Sequence, residues 1–377
     1  MRVSLGDICA IHAPLVDPTH PDHRSLLHIG GANIVAHRGV LVDLQTAADE
    51  GLVSPKFLFH EEDILYSKIR PYLRKVARPR MRALCSADIY PLRPISEMVL
   101  PDYLQFLLLS DAFTNYAVRV SNRAGMPKVN RDQLFAFECA LPDMRDQERH
   151  AAFLRDAFER LTELERLERG RREDLWALKR SLVLGTSPTA CARVPLNELV
   201  AWVREPEQVK ATKEYAFAGV KSFGRGLFAS AKRRGNEFSY KTVQRLKSGD
   251  FVFPKLMAWE GALAMVPKKY EGLVVSPEFV VFRTMRAGFL PEVLDTYFRS
   301  PSAWSLVHTA STGTNRRRRR LYPRAFLELQ VPIPSAEAQR KLREVYAIEA
   351  MAEAQWAEGE GEIERIRSGA LARVFRE

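Results

Sequence analysis

The chain has 377 residues, 46% of them hydrophobic and 27% charged, a balance typical of a folded, soluble protein of about two domains. No stretch approaches the ~20 apolar residues of a membrane span, and the start of the chain lacks a signal-peptide apolar run. We therefore expect a cytoplasmic protein without a membrane partner. The four cysteines form no CxxC pair, which argues against a disulfide framework or a zinc ribbon. His20 and His23 are expected in a surface turn rather than a metal site.

The net charge of +11 is concentrated in one part of the chain. Residues 194–334 hold 23 Lys and Arg against 12 Asp and Glu, whereas residues 1–141 hold 16 against 15. A local basic excess of this size indicates a polyanionic partner, and nucleic acid is the leading candidate. The first segment must bind any similar partner with individually placed charges.

The two halves of the chain align with each other at an offset of about 190 residues. Four pairs of segments, in the same order, carry the alignment: 3–8 with 194–199, 62–68 with 249–255, 100–104 with 290–294, and 141–147 with 333–339. They predict, in turn, a strand with a helical turn, a strand ending in lysine, a helix with proline in its first turn, and a Pro…Gln entry into a long helix.

This repeat predicts a mixed α/β (α+β) fold with four parts. They are module 1 (residues 1–141), a central long helix and linker (142–193), module 2 (194–334) and a C-terminal long helix (335–377).

The helical patterns run over about residues 147–184 and 336–375, each roughly 55–60 Å long. Their apolar residues fall on alternating three- and four-residue steps, the pattern of a coiled-coil seam. The predicted seam positions are Leu161, Leu164, Leu175, Leu178, Leu182, Leu342, Val345, Ala352, Trp356, Ile363, Ile366 and Ala370. We expect the two helices to pair as an antiparallel coiled coil that separates the modules. The alternative is that each helix packs only on its own module.

Basic and small polar residues mark the candidate DNA contacts of module 2. Arginine can bridge guanine O6 and N7, asparagine can serve adenine, and further cations hold phosphates. The segment just before a predicted helix offers Thr314, Asn315, Arg316, Arg317, Arg318, Arg319, Arg320 and Tyr322. Lys221, Arg225, Arg233 and Arg234 are candidates for phosphate contacts, and Lys255, in the segment that matches 67–75, is a further candidate DNA contact. The alternative interpretation of the arginine run is a merely solvated charged segment.

Module 1 has two corresponding clusters. One lies at the position that matches the arginine run and contains Asn122, Arg123, Lys128, Asn130 and Arg131. The other, within residues 67–75, alternates cations with apolar residues and contains Lys68, Arg70, Tyr72, Arg74 and Lys75. This alternation predicts a strand with one basic face, and an ordinary amphipathic edge strand is equally compatible with it.

The doubled order of module, Leu/Ile-Pro…Gln junction and long helix resembles the specificity subunit of type I restriction-modification enzymes. The junctions are residues 141–147 and 333–339, and the strand patches around 61–77 and 248–266 are also similar to the family's. The resemblance implies two target-recognition domains that bind a bipartite site in double-stranded DNA. It further implies docking of two methyltransferase subunits, which use S-adenosylmethionine to methylate adenine N6, and of restriction (motor-nuclease) subunits.

The sequence also lacks the motifs of DNA-modifying chemistry. It has no Asn/Asp-Pro-Pro-Tyr/Phe methylation motif, no GxxxxGK[ST] phosphate loop and no GxGxxG, since Gly224-Arg225-Gly226 is too short. We therefore expect a non-catalytic subunit with no catalytic residue, metal or cofactor of its own. Two alternatives remain: a free-standing DNA-binding regulator, or a nuclease or methyltransferase with an unrecognised motif.

Overall fold

A computed structural model describes residues 1–121, 125–185, 191–313 and 319–375. The chain divides into unit 1, Met1–Glu168 with Trp356–Glu377, and unit 2, Arg169–Gln355. In the described ranges, no helix is both long and apolar enough to cross a membrane.

Unit 1 contains eleven short strands among its described residues. They are β1 (Arg2–Ser4), β2 (Cys9–Ala10), β3 (Leu15–Val16), β4 (Leu27–Ile29), β5 (Gln45–Thr46), β6 (Lys56–Phe59), β7 (Ile64–Ser67), β8 (Val76–Ala77), β9 (Ala83–Cys85), β10 (Ile89–Pro94) and β11 (Glu138–Ala140). Its helices are α1 (Leu5–Ile8), α2 (Pro101–Leu109), α3 (Asp111–Val120), α4 (Arg131–Phe135) and the first part of α5 (Met144–Leu184).

Unit 2 repeats this inventory. Its strands are β12 (Ala192–Pro195), β13 (Val200–Val203), β14 (Pro206–Gln208), β15 (Glu214–Val220), β16 (Leu227–Arg234), β17 (Thr242–Arg245), β18 (Phe251–Pro254), β19 (Ala264–Met265), β20 (Val274–Val275), β21 (Phe279–Thr284) and β22 (Gln330–Ile333). Its helices are α6 (Pro291–Phe298), α7 (Pro301–Ala310), α8 (Pro323–Leu327) and the first part of α9 (Ala336–Val374). A 3-10 turn, Leu196–Glu198, takes the place of α1.

The sheets confirm the predicted duplication strand by strand. In the described residues, unit 1 has sheets ordered β1-β11, β2-β10-β7-β8 and β3-β6-β9-β4-β5, and unit 2 has β12-β22, β13-β21-β18-β19 and β14-β17-β20-β15-β16. Each five-stranded sheet has its parallel pair at the same place, β4 with β9 and β15 with β20. The mixed α/β fold and the two similar modules are thus present, as the sequence predicted.

In each unit a buried ion pair links two neighbouring strands at the aligned segments 62–68 and 249–255. Asp63 accepts two hydrogen bonds from Arg93 of β10, at 2.5 and 3.0 Å. Asp250 accepts the same two from Arg283 of β21, at 2.8 and 3.2 Å. Both carboxylates are almost completely buried, and each also accepts the backbone N–H three residues before it. The buried aspartate therefore joins two strands of the same sheet in each unit.

The glutamine of each Pro…Gln junction ties the start of a long helix to its module. Gln147 Oε1 accepts the backbone N–H of Leu100, and its Nε2 donates to the carbonyls of Met98 and Pro142. Gln339 Oε1 accepts the N–H of Leu290 at 2.9 Å, and its Nε2 donates to Pro334 at 3.0 Å. The amide thus satisfies an otherwise unpaired N–H at the amino end of α2 or α6.

Because both amides are buried, their loss should destabilise the fold. We expect Gln147→Ala to lower the free energy of unfolding by about 2–4 kcal/mol, since it leaves a buried N–H and two carbonyls without this partner. Chemical denaturation of the full chain measures the change. The control is Gln355→Ala, an exposed glutamine of α9 that should stay within about 0.5 kcal/mol of the parent. Equal stability of the two variants would contradict the assigned role.

The two long helices contact each other within each unit, and the contacts run antiparallel. In unit 1, Glu165 of α5 pairs with Arg367 of α9 at 2.8 Å, while Glu168 lies against Gly359. In unit 2, Lys179 pairs with Glu349 at 2.6 Å. The ends of the helices also enter the two module cores: Ala370 and Leu371 join the core of unit 1, and Val183 joins that of unit 2.

The seam between the helices differs in detail from the predicted one. Leu161, Leu342, Val345, Ile363 and Ala370 are buried as expected, but Leu164, Leu178 and Ile366 are 45–49% exposed. Their places are taken by two cations, Arg367 and Lys179, which are 2% and 1% exposed and are neutralised by the glutamates across the seam. A charged side chain can be buried when an opposite charge and hydrogen bonds satisfy it. A search for hydrophobic residues at seam positions does not identify such a side chain.

Candidate nucleic-acid interface

In unit 1 the backbone brings the two candidate clusters of module 1 together. Val129 N–H donates to the Lys68 carbonyl at 3.0 Å, and Arg70 N–H donates to the Pro127 carbonyl at 2.9 Å. Residues around 68–75 and 125–131 therefore lie side by side, although they are about 60 residues apart in the sequence. The pairing places Arg70, Tyr72 and Lys128 in one region of the module.

The segment 67–75 is not the strand that its alternating pattern predicted. Strand β7 ends at Ser67, and residues Pro71–Leu73 form a 3-10 turn. Arg70 and Arg74, on either side of the turn, have φ values of 52° and 45° in the left-handed region. Proline has no N–H for a ladder, and left-handed residues reverse the chain, so the segment forms a bend.

The candidates of module 1 separate into engaged and exposed side chains. Lys68 is buried and pairs with Asp88 at 3.2 Å, and Arg74 pairs with Asp111. Lys75 donates to the Gly31 carbonyl, and Asn130 caps α4 by accepting the Gln133 N–H. Lys128 is partly exposed, and the exposed candidates are Arg70, Tyr72 and Arg131.

In unit 2 the same backbone arrangement surrounds Lys255. Its carbonyl accepts the N–H of Leu321 at 2.9 Å, as that of Lys68 accepts Val129, and its Nζ donates to the Pro277 carbonyl at 3.0 Å. Lys68 Nζ donates to the Ala87 carbonyl in the equivalent turn. The two lysines that the repeat aligned are thus equivalent in space, and both fasten a loop within their own module.

The described arginines of the arginine run have protein partners. Arg320 pairs with Glu278 at 3.1 Å and forms an isolated bridge with Thr312, and Arg319 contacts the His308 ring. Tyr322, 50% exposed, directly precedes α8. Five predicted contacts of this segment lie outside the described residues: Thr314, Asn315, Arg316, Arg317 and Arg318. So do Asn122 and Arg123 of module 1.

The remaining candidates of module 2 lie on the β15–β16 hairpin. Lys221 and Arg225 belong to the loop between the strands, where Arg225 Nε donates to the Ser222 carbonyl at 3.1 Å. Arg233 and Arg234 are exposed near the end of β16, an edge strand. The hairpin thus carries basic residues at both of its ends, and the structure does not gather all four at one point.

The thiols of unit 1 are unsuited to nucleophilic chemistry. Burial raises the pKa of the Cys9 thiol to about 12 and that of Cys139 to about 11, so both stay protonated at neutral pH. The four cysteines are free, and the described ranges contain no cluster of three or more side chains suited to a metal.

The sequence did not reveal an aromatic group that lies beside Arg225 of the β15–β16 loop. Phe223, Trp259 and Trp304 line one cleft of unit 2, together with His308. Large aromatic residues are usually core, and these three are far apart in the sequence, so no periodicity connects them. The one local signal was the Gly224-Arg225-Gly226 turn next to Phe223.

The fold is a duplicated α+β module with exposed basic residues in each copy, and comparison with known proteins relates it to a known family. The family model described as the type I restriction modification DNA specificity domain matches residues 2–170. The specificity subunit of the type I restriction enzyme EcoDI from Escherichia coli is 32% identical over 126 residues. That alignment covers 33% of this chain and 28% of the relative, so the chain spans less than a third of the relative's length.

Two solved structures share the fold over the whole chain. One is described as the structural basis underlying complex assembly and conformational transition of the type I R-M system; it has a TM-score of 0.58 and 19% identity, and covers 100% of this chain and 97% of that one. The other, the S subunit of a type I system from M. genitalium, has a TM-score of 0.54 and 11% identity, with coverage of 100% and 96%.

Residues 2–170 match the type I restriction modification DNA specificity domain, which confirms the resemblance seen in the sequence for this part of the chain. Specificity subunits of these systems are non-catalytic DNA-recognition subunits and need no cofactor of their own. The expectation of a non-catalytic subunit agrees with this similarity of residues 2–170.

Proposed function

We propose that this chain is the specificity subunit that directs a type I complex to a bipartite DNA sequence. Module 1 (1–141) recognises one half-site and module 2 (194–334) the other, while 142–193 and 335–377 supply the helices between them. The observation that carries the proposal is the strand-for-strand duplication of a module whose contact residues differ. A repeated fold with unlike surface residues supports binding to two unlike sequences.

The partners of this subunit would supply the chemistry. Two methyltransferase subunits would dock on the long helices and use S-adenosylmethionine to methylate adenine N6, and restriction subunits would join for cleavage. The chain has two long helices, each entered through its own Pro…Gln junction, and this duplication supports a stoichiometry of two methyltransferases. Such a complex acts on chromosomal DNA, so we place the chain in the cytoplasm.

Charge and exposure support a division of labour among the contact residues. The engaged cations, Lys68, Arg74, Lys75 and Lys255, hold loops in position. The exposed groups are the better candidates for DNA: Arg70, Tyr72 and Arg131 in module 1, with Lys221, Arg225, Arg233, Arg234 and Tyr322 in module 2. Since the basic excess lies in residues 194–334, binding by module 2 should depend more steeply on salt.

Reconstitution tests this assignment. The purified chain alone should bind duplex DNA but neither methylate nor cleave it, with S-adenosylmethionine, ATP and Mg²⁺ present. Addition of the methyltransferase subunits should produce N6-methyladenine at a defined site, and those subunits without this chain should not. Methylation or cleavage by the isolated chain would overturn the proposal, as would site-specific methylation in its absence.

A further inference from the structure

Unit 2 has an open aromatic cleft of about 600 Å³ at the border of its basic loops. Its walls come from three elements: the β15–β16 loop, the 3-10 turn Ala258–Glu260 and helix α7. The lining includes Phe223, Trp259, Glu260, Trp304, Ser305 and His308. Two backbone hydrogen bonds join the first two elements, Phe223 N–H to Glu260 at 2.8 Å and Gly224 N–H to Gly261 at 3.0 Å.

Phe223 is held in the cleft at a conformational cost. Its φ of 62° lies in the left-handed region, which a bulky side chain disfavours, and its side chain is 57% exposed. Because the Phe223 ring is largely exposed, its burial does not offset the cost of this backbone conformation. Strain of this kind is concentrated at sites of ligand contact.

The tryptophans form a firm wall with one unmet polar group. Trp304 Nε1 donates to the Phe298 carbonyl at 2.8 Å, and its ring lies against Gly261, where a Cβ would approach within 2.6 Å. Trp259 Nε1 is buried and has no hydrogen-bond partner among the described residues. Because this nitrogen is buried, the two tryptophans offer the cleft apolar ring surface rather than a hydrogen-bond donor.

Cations border the opening of the cleft. The Arg225 guanidinium lies 5.9 Å from the centre of the Phe223 ring, Lys221 is two residues away in the same loop, and Arg319 contacts His308 on the other side. Arg319 continues directly into the arginine run. The one carboxylate in the lining, Glu260, accepts a hydrogen bond from Ser222 at 3.1 Å. A recess with aromatic walls and cations at its edge fits a polyanion that also presents an apolar group.

We propose that this cleft receives the 5-methyl group of a thymine in the half-site of module 2, a step that rests on the proposed function. Of the four base edges in the major groove, thymine alone carries an apolar group, and beside it stands the O4 acceptor. Phe223, Trp259 and Trp304 then surround the methyl group with aromatic surface. Phe223, Trp259 and Trp304 are then specificity-determining residues at one position of the sequence.

Module 1 has different chemistry at the corresponding place. Helix α3, which matches α7, begins at Asp111, and this carboxylate pairs with Arg74. The 3-10 turn that matches Ala258–Glu260 presents the exposed Tyr72. The same location is therefore aromatic and recessed in module 2 and occupied by an ion pair in module 1, so the thymine contact belongs to one half-site.

The test uses the reconstituted methyltransferase complex and duplexes that contain its mapped recognition sequence. Each thymine of the second half-site is replaced singly by deoxyuridine, which lacks only the 5-methyl group. The wild-type complex should lose about fourfold to tenfold in affinity at one position. The complex with Phe223→Gly should bind the parent duplex more weakly and lose nothing further at that position.

The glycine variant also separates contact from fold. Because glycine favours φ near 62°, Phe223→Gly should have a Tm equal to or above that of the parent, whereas a structural phenylalanine would lower it. Phe223→Asn, which also tolerates this conformation, should behave alike. Tyr240→Ala, at another exposed aromatic residue of module 2, is the control and should keep the deoxyuridine effect.

Two results would overturn the thymine contact while leaving the specificity-subunit assignment intact. One is an equal deoxyuridine effect in the wild type and in Phe223→Gly. The other is the absence of a deoxyuridine effect at every thymine of the second half-site in the wild type. Failure of the proposed function would look different, because no bipartite site would then be mapped with wild-type protein.

Discussion

Replacement of Arg316, Arg317 and Arg318 together by serine should lower the affinity of the complex for its DNA on the order of 10²–10³-fold in 0.1 M salt. The sequence indicates these three residues as candidate DNA contacts, whereas their neighbours Arg319 and Arg320 contact His308 and Glu278. Each phosphate contact releases about 0.9 counterion. The slope of log K against log salt should become shallower by about 2.7 with all three on phosphates, and by about 1.8 with one of them on a guanine.

A charge-conserving variant is the matched control for this prediction. Lysine at the same three positions keeps the ion release but cannot bridge two acceptors of a guanine. Its salt slope should equal that of the wild type, whereas its discrimination between cognate and altered second half-sites should fall. A serine variant with an unchanged salt slope would show that these arginines are only solvated charges.

The second large effect concerns the spacing of the half-sites. If the helix pair sets the distance between the modules, insertion of one heptad into each long helix should lengthen the gap between half-sites by about three base pairs. Seven residues add about 10.5 Å of helix, and one base pair spans about 3.4 Å. Without the insertion, we expect half-site centres about one DNA turn, ~34 Å, apart.

The contacts within unit 1 show where to insert. Glu168 lies against Gly359, so an insertion after Glu168 and another before Gly359 lie at the same level of the helix pair. Seven residues preserve the heptad phase. Insertion in α5 alone is the control, and it should shift the helices out of register and abolish methylation. An unchanged gap in the double insertion would refute the role of the helices as a spacer.

The features that the sequence predicted best are those determined by local chemistry. Pro101 and Pro291 begin helices because proline fits the first turn. At the junctions, Gln147 follows Pro142 and Gln339 follows Pro334 at the same distance. The same residues occur twice, so each copy confirmed the other. The duplicated topology followed from these landmarks even though the two modules differ strongly in charge.

Features that depend on distant partners were not predictable. Arg367 and Lys179 occupy the helix seam because glutamates of the other helix neutralise them, and no heptad count includes that contact. The bend at 67–75 depends on pairing with residues near 127, about 60 positions away. Phe223, Trp259 and Trp304 meet only because three separate elements converge.

The central claim is that two modules of one chain specify two half-sites. Methylation mapping of the genome of a host that expresses the chain with its methyltransferase subunits tests this claim most directly. We predict N6-methyladenine within a motif of two defined segments separated by a fixed gap of unspecified bases, and exchange of residues 194–334 for those of another specificity subunit should alter one segment only. A continuous motif, or a change in both segments after the exchange, would contradict the account.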